Sequence, residues 1–394
     1  MQTMILNAKV KNNWLLVSIL TFGVFSILST ELGAMGLMPI LQTHFNVSVA
    51  SASWAVSIFA LMITICAPVV PLLCAGFNQK KLMLLCLAIF SLASFLSIFA
   101  NAFWQYLFLR GLMGIFHPIY CALAFSIAAK SAANPKDAPK EVAKVFAGVS
   151  AGMVLGVPMG SYLGGNFSYE LSQAFFCLLS ALTFIVTLFF IPNTGKGEKV
   201  RLKEQVSILR EPLLWLSIVT VVLIQASIFG FYGYLSDFLH KITALNFTQI
   251  SLILAAYGAT NILGNLFAGK ALSANANKAL MLSTIFLALL YILIFTEAQN
   301  ALFLSIIILI LGILAGLMNN GVHFMITQPF PKQAEFTNGI FLSVANIGLS
   351  LGAFICGFIA DVFSLKMIAI SACMLIILGL LGIVLRLRIG TKLS

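Results

Sequence analysis

The sequence predicts an all-α integral membrane protein, with twelve spanning helices in two six-helix bundles and both termini in the cytoplasm. Three observations carry this reading. Of the 394 residues, 61% are hydrophobic and 8% charged, against about 25% charged in an ordinary soluble domain. Twelve apolar runs recur, each near the ~20 residues that a helix needs to cross a bilayer. The only long polar stretch, residues 192–211, falls after the sixth run.

The runs can be taken in order. The first, 14–41, opens after Lys9 and Lys11 and contains one charge, Glu31. The second covers 50–73, and the third, 82–100, opens after Lys80 and Lys81 in a short cytoplasmic loop. The fourth, 103–129, holds Arg110 and His117; the fifth, 143–166, is rich in glycine; the sixth spans 171–191. Beyond the linker come 213–238 with Gln225 and Tyr232, 247–270 with Asn261, and 279–296. The last three are 301–326 with a polar stripe, 337–362 with Asn346, and 366–388. The chain thus divides into an N-terminal bundle (1–191), a cytoplasmic linker (192–211) and a C-terminal bundle (212–394).

Charge sets the orientation. With the N-terminus inside, 19 of the 22 Lys and Arg residues fall on cytoplasmic segments, two (Lys241 and Lys366) fall outside, and Arg110 lies within a span. Such asymmetry is the positive-inside pattern. It accounts for the net charge of +11 through anionic lipid head groups rather than nucleic acid. Lys9 and Lys11 before an apolar run resemble a signal peptide, but the run continues past Glu31 without a convincing cleavage site. The seven cysteines show no CxxC or Cys/His spacing, so disulfide and metal readings fail and the thiols read as small packing residues. GxSxG, HExxH and P-loop patterns are absent, so no enzyme is expected.

The halves echo each other. "KKLML" at 80–84 and "KALML" at 278–282 are 198 residues apart, and Gly152/Gly156 and Gly348/Gly352 repeat a GxxxG spacing 196 apart. Near-equal offsets of half the chain point to two parallel repeats.

Four constellations carry chemistry. A carboxylate within a span costs a few kcal/mol unless paired, hydrated or protonated. Glu31 lies about 25 Å along the first helix and Arg110 about 10 Å into the fourth at 1.5 Å per residue, which matches their depths and predicts an ion pair. His117 shares a helix face with Arg110 and reads either as a core histidine or as a cavity residue. In the tenth run Gly316, Asn319, Asn320, His323 and Thr327 form one face; such a face must look into the bundle, and it is read as lining a substrate cavity rather than cross-linking helices. Gln225, Tyr232, Asn261 and Asn346 are candidates of the same kind. In the fifth run, Gly152, Gly156 and Gly160 form a smooth face beside Pro158, which frees a carbonyl. That face reads either as a tight helix contact or as a pivot between the halves, and Gly348 and Gly352 as its counterpart.

At these residues the chain resembles the major facilitator superfamily, within it the twelve-span drug:proton antiporter branch and the bacterial arabinose, sugar and purine efflux group. The "TE…GLxP" segment is matched by Thr30, Glu31, Gly36, Leu37 and Pro39, and RxxxGxxH by Arg110, Gly114 and His117. The antiporter motif is matched by Gly152, Gly156, Pro158 and Gly160. The loop between helices two and three departs from the family, keeping Lys80 and Lys81 but no acid, so a gating ion pair there is not expected. The resemblance implies the major facilitator fold in the inner (plasma) membrane. It also implies a monomer that exports a small polar or amphipathic molecule in exchange for protons. Glu31 and Arg110 would then be the coupling pair, with no cofactor beyond the proton gradient. An importer or facilitator of the same fold, or a membrane sensor that transports nothing, are the alternatives.

Overall fold

The computed structural model describes residues 13–67, 70–74, 76–132, 138–192, 206–330 and 334–393. Among these it contains twelve helices long and apolar enough to cross a membrane. They are α1 (Trp14–Gly36), α2 (Val49–Cys66), α3 (Gln79–Ser97), α4 (Phe103–Ser131), α5 (Lys144–Asn166) and α6 (Tyr169–Phe190). The second set is α7 (Pro212–Gly233), α8 (Phe247–Leu272), α9 (Ala274–Thr296), α10 (Ala301–Thr327), α11 (Thr337–Val362) and α12 (Leu365–Arg388). No strand occurs among the described residues. Most of the linker lies outside them, as do Lys9 and Lys11. We call the end of the bundle where α1 finishes the loop-1 face, and the opposite end the linker face.

Local chemistry explains where helices stop. With no water at membrane depth, helix ends must be capped near the surface. Ser48, Ser168, Asn246 and Asn300 each accept a backbone N–H at the start of α2, α6, α8 and α10, and Asn78 does so for α3. Two of the apolar runs prove to be broken. α1 ends at Gly36 and resumes as the short helix Met38–Phe45, with Pro39 in its first turn. α7 ends at Gly233 and resumes as Leu235–Lys241. Breaks at Leu37 and Tyr234 repeat the half-chain offset.

α5 carries a π-helical turn, Gly152–Gly156, directly before Pro158, as expected where proline disrupts the hydrogen-bond ladder. Its glycines press on α1. A Cβ at Gly152 would stand 2.6 Å from Leu28 Cβ, and one at Gly156 would stand 2.5 Å from Ser29 Cα. At Gly160 the nearest atom would be Gly33 O at 2.7 Å. The C-terminal half repeats the contact: Gly348 abuts Gln225 and Gly352 abuts Ala226 O, so α11 packs on α7 as α5 packs on α1. The two GxxxG segments therefore hold each half together. Their small faces are spent on a helix of their own half, whereas the contact of α5 with the other half is made by neighbouring residues such as Val154.

The halves meet along α2 and α11. Thr64 Oγ1 donates to Ser343 O at 3.3 Å, Ser57 and Ser350 face each other, and Ala50 and Ser53 lie against Gly357. Each step of seven down one helix matches seven up the other, the register of an antiparallel small-residue seam. Val154 of α5 against Gly258 of α8 makes a second crossing.

Candidate functional site

Glu31 sits in the last two turns of α1, and Arg110 and His117 lie on the face of α4 that looks at it. Arg110 is buried and its donors are committed to three carbonyls. Nε donates to Ala55 O of α2 at 2.9 Å, one terminal nitrogen to Thr30 O at 2.7 Å, and the other to Glu31 O at 2.9 Å. The guanidinium also lies 4.5 Å from the Phe59 ring centre, a cation–π contact. Arg110 therefore ties α4 to the backbones of α1 and α2.

The expected ion pair is realised differently. The guanidinium takes the backbone carbonyl of Glu31, and the carboxylate turns to His117, with Oε2 2.9 Å from Nε2. That is an ion-pair distance. Helix direction explains the exchange. Side chains lean toward the N-terminus of their own helix, and α1 begins at the linker face. Glu31 thus leans toward the linker face, where α4, running the other way, places His117 two turns beyond Arg110. Carbonyls of α1 point toward the loop-1 face, where Arg110 meets them. His117 is consequently the partner of Glu31 and not a wall of an open cavity. Its Nδ1 is buried without a hydrogen-bond partner, and Cys121 Sγ lies 3.7 Å from Nε2.

The polar stripe of α10 also makes contacts with neighbouring helices. Asn320 donates to Asn265 of α8 at 2.6 Å, Asn265 donates to Asn261, and Asn261 reaches Gly312 O at 3.4 Å. Gly316 abuts Asn261 O. His323 lies 2.8 Å from Asn338 of α11. These amides and the imidazole hydrogen-bond α10 to α8 and α11, although Asn320 stays exposed and Asn319, Asn265 and His323 are only partly buried. Asn319 keeps a buried oxygen without a partner, as do Gln225, Tyr232 and Asn346. Tyr232 stacks on Tyr257 with ring centres 4.5 Å apart, and Asn346 donates to Leu342 O. A cleft of about 490 Å3 opens between α1 and α5, walled by Trp14, Thr21, Phe22, Phe25 and Lys144 among others. None of the residues expected to line a cavity borders it. Lys80 caps α6 by donating to Leu188 O at 2.8 Å, a contact inside the N-terminal half.

Two polar clusters at the loop-1 face escaped the sequence reading. Asp237, fully buried, lies 3.1 Å from Lys241 Nζ and accepts from Gln42 Nε2 at 3.2 Å, while Lys241 donates to Gln42 Oε1 at 2.6 Å. Asp361 at the end of α11 accepts from Ser48 Oγ at 2.7 Å and Ala50 N at 3.1 Å, placing its charge at the N-terminus of α2. Both join the two halves. The signal available was an Asp four residues before a Lys at the end of the seventh run.

Comparison with known proteins decides the class. Residues 15–246 and 221–393 match the Major Facilitator Superfamily. The chain belongs to that family. Among curated members, it is 27% identical to the uncharacterized MFS-type transporter YtbD of Bacillus subtilis, over 87% of each chain. It is 23% identical to the inner membrane transport protein YdhP of Escherichia coli K12, over 85% of this chain and 86% of that one. The crystal structure of the nucleoside transporter NupG superposes with a TM-score of 0.78 at 14% identity, covering 96% of this chain and 99% of that one. As a Major Facilitator Superfamily member, the protein is a multi-pass membrane transporter with a small-molecule substrate, not an enzyme. The family expectation from the sequence holds, and so does the all-helical twelve-span architecture.

Proposed function

We propose that this transporter exports a small polar or amphipathic molecule in exchange for protons, by alternating access, from the cytoplasmic side of the inner membrane. The carrying observation is the Glu31 carboxylate, largely shielded between α1 and α4 and in contact with a second ionisable group, His117. A carboxylate so placed can hold a proton in one conformation and release it in another, since burial favours the neutral form and a nearby cation the charged form. Arg110 supplies a fixed positive charge and anchors the α1 backbone that bears the acid. Each proton moving inward contributes about 2.3 kcal/mol per 100 mV and about 1.4 kcal/mol per pH unit, enough for tenfold or greater accumulation.

The 19-to-2 distribution of Lys and Arg supports a cytoplasmic linker face. On that orientation the Gln42–Asp237–Lys241 and Ser48–Asp361 clusters close the outer end, and the arrangement is one that loads from the cytoplasm.

The test is purified protein in liposomes, with candidate sugars, purines and amphipathic drugs and an imposed pH gradient. Wild type should move one of these probes with coupled proton flux, and Glu31→Gln should lose gradient-driven movement while retaining exchange of the same probe. Full coupling in Glu31→Gln would place the coupling group elsewhere.

A further inference from the structure

We infer that His117 is a second proton-carrying group of the coupling site, so that Glu31 and His117 bind and release protons as one pair. This rests on the reading of Glu31 as the coupling acid. Its own ground is the contact between the carboxylate and imidazole at 2.9 Å, together with the placement of everything around it.

Arg110 cannot share the work. A guanidinium does not deprotonate in proteins, and this one is occupied by three carbonyls. It biases the site without carrying a proton. His117 is the neighbour able to do so. It stands seven residues beyond Arg110 on α4, about 10 Å further toward the linker face at 1.5 Å per residue. The imidazole is also two-ended. Nε2 faces the acid, and Nδ1 is buried and not held by any hydrogen bond, so neither nitrogen is committed to a fixed structural partner.

The surroundings add little competition. From α1 the ring meets Glu31, and from α2 the Phe59 ring, 5.8 Å between centres. On α4 it has Arg110 two turns away and Cys121 at 3.7 Å. The step balances simply. The O–H bond of protonated Glu31 breaks as Nε2–H forms, giving carboxylate and imidazolium. When the conformational change admits water to the ring, an N–H bond of the imidazolium breaks and its proton passes to that water, leaving a neutral ring.

The test needs no transported molecule. Infrared difference spectra of purified protein in lipid vesicles, recorded across pH, report the protonated carboxyl stretch and the imidazole ring modes. Glu31→Gln identifies the carboxyl band by removing it. In wild type that band should titrate in two steps, because coupled sites titrate as a pair. In His117→Gln it should titrate in one step, displaced by about one pH unit or more. Reciprocally, Glu31→Gln should displace the ring signal that His117→Gln removes; His117→Asn serves should the glutamine variant not fold. A carboxyl profile identical in wild type and both His117 variants overturns the pair and leaves Glu31 as the coupling acid. Retention of coupled transport by Glu31→Gln, by contrast, overturns the reading beneath it.

Discussion

At the scale of single residues, Arg110 is a fully committed side chain. Its three hydrogen bonds to carbonyls of α1 and α2 fix where Glu31 stands, and planar fork geometry makes this possible. Arg110→Lys keeps the charge but not the fork. We expect it to lose one or two charge-assisted hydrogen bonds, on the order of 2 kcal/mol, read as a lower unfolding midpoint in detergent. Transport should fall more than the midpoint does, since the acid loses its placement. The sequence made Glu31, Arg110 and His117 visible because ionisable groups are rare inside spans. It did not make their pairing visible. Depth along two helices can be counted from a sequence, but which atom of Glu31 meets which partner depends on how the side chains and carbonyls lean once α1 and α4 are packed in antiparallel register.

Elements were legible in proportion to their hydrophobicity. Each of the twelve runs corresponds to a spanning helix, because at membrane depth a backbone has no alternative to internal hydrogen bonding. Breaks at Leu37 and Tyr234 were hidden, since the runs stay apolar across them. The stripe on α10 shows the limit of periodicity: a polar face must point inward, but an inward face can meet open space or another amide, and Asn320, exposed yet hydrogen-bonded to Asn265, does both. The glycine face of α5 has an equally local task against α1, next to the turn that bears Glu31. Gly156→Leu should therefore separate α5 from α1, since even a Cβ lacks room against Ser29. We expect a loss of about 1–3 kcal/mol by overpacking, measured as a lower midpoint. Coupled transport should drop tenfold or more, and Gly156→Ala should be milder on both counts.

For the whole molecule, the internal repeat is structural as well as textual. Gly114 abuts Phe59 of α2, and Gly312 abuts Tyr257 of α8, each pair 198 residues from its counterpart. The same offset puts Ile308 and Ala315 where Arg110 and His117 stand, so the charged cluster belongs to one half alone. Between the halves, the seam of α2 and α11 runs nearly the length of both helices and ends in the Asp361 and Asp237 clusters. Asp237→Asn removes the buried anion that faces Lys241 and Gln42. With hydrogen bonds to charged groups contributing about 1.5–3 kcal/mol, the closed loop-1 face should lose roughly tenfold or more in population. A cysteine at Ser57 should then react faster with an aqueous thiol reagent; an unchanged rate would mean the cluster does not hold the face shut.

The confinement of the ionisable cluster to one half has an electrical consequence. Ile308 and Ala315, at the matching sites of the second half, carry no titratable group to compensate when the first half takes up or releases a proton. On the proposed exchange, with the pair releasing one proton per cycle, the current across the bilayer reads the valence of the cargo. A neutral molecule leaves one uncompensated charge per turnover, and a monovalent cation leaves none. Vesicles on a capacitive electrode can therefore sort cargoes by charge before any of them is chemically identified.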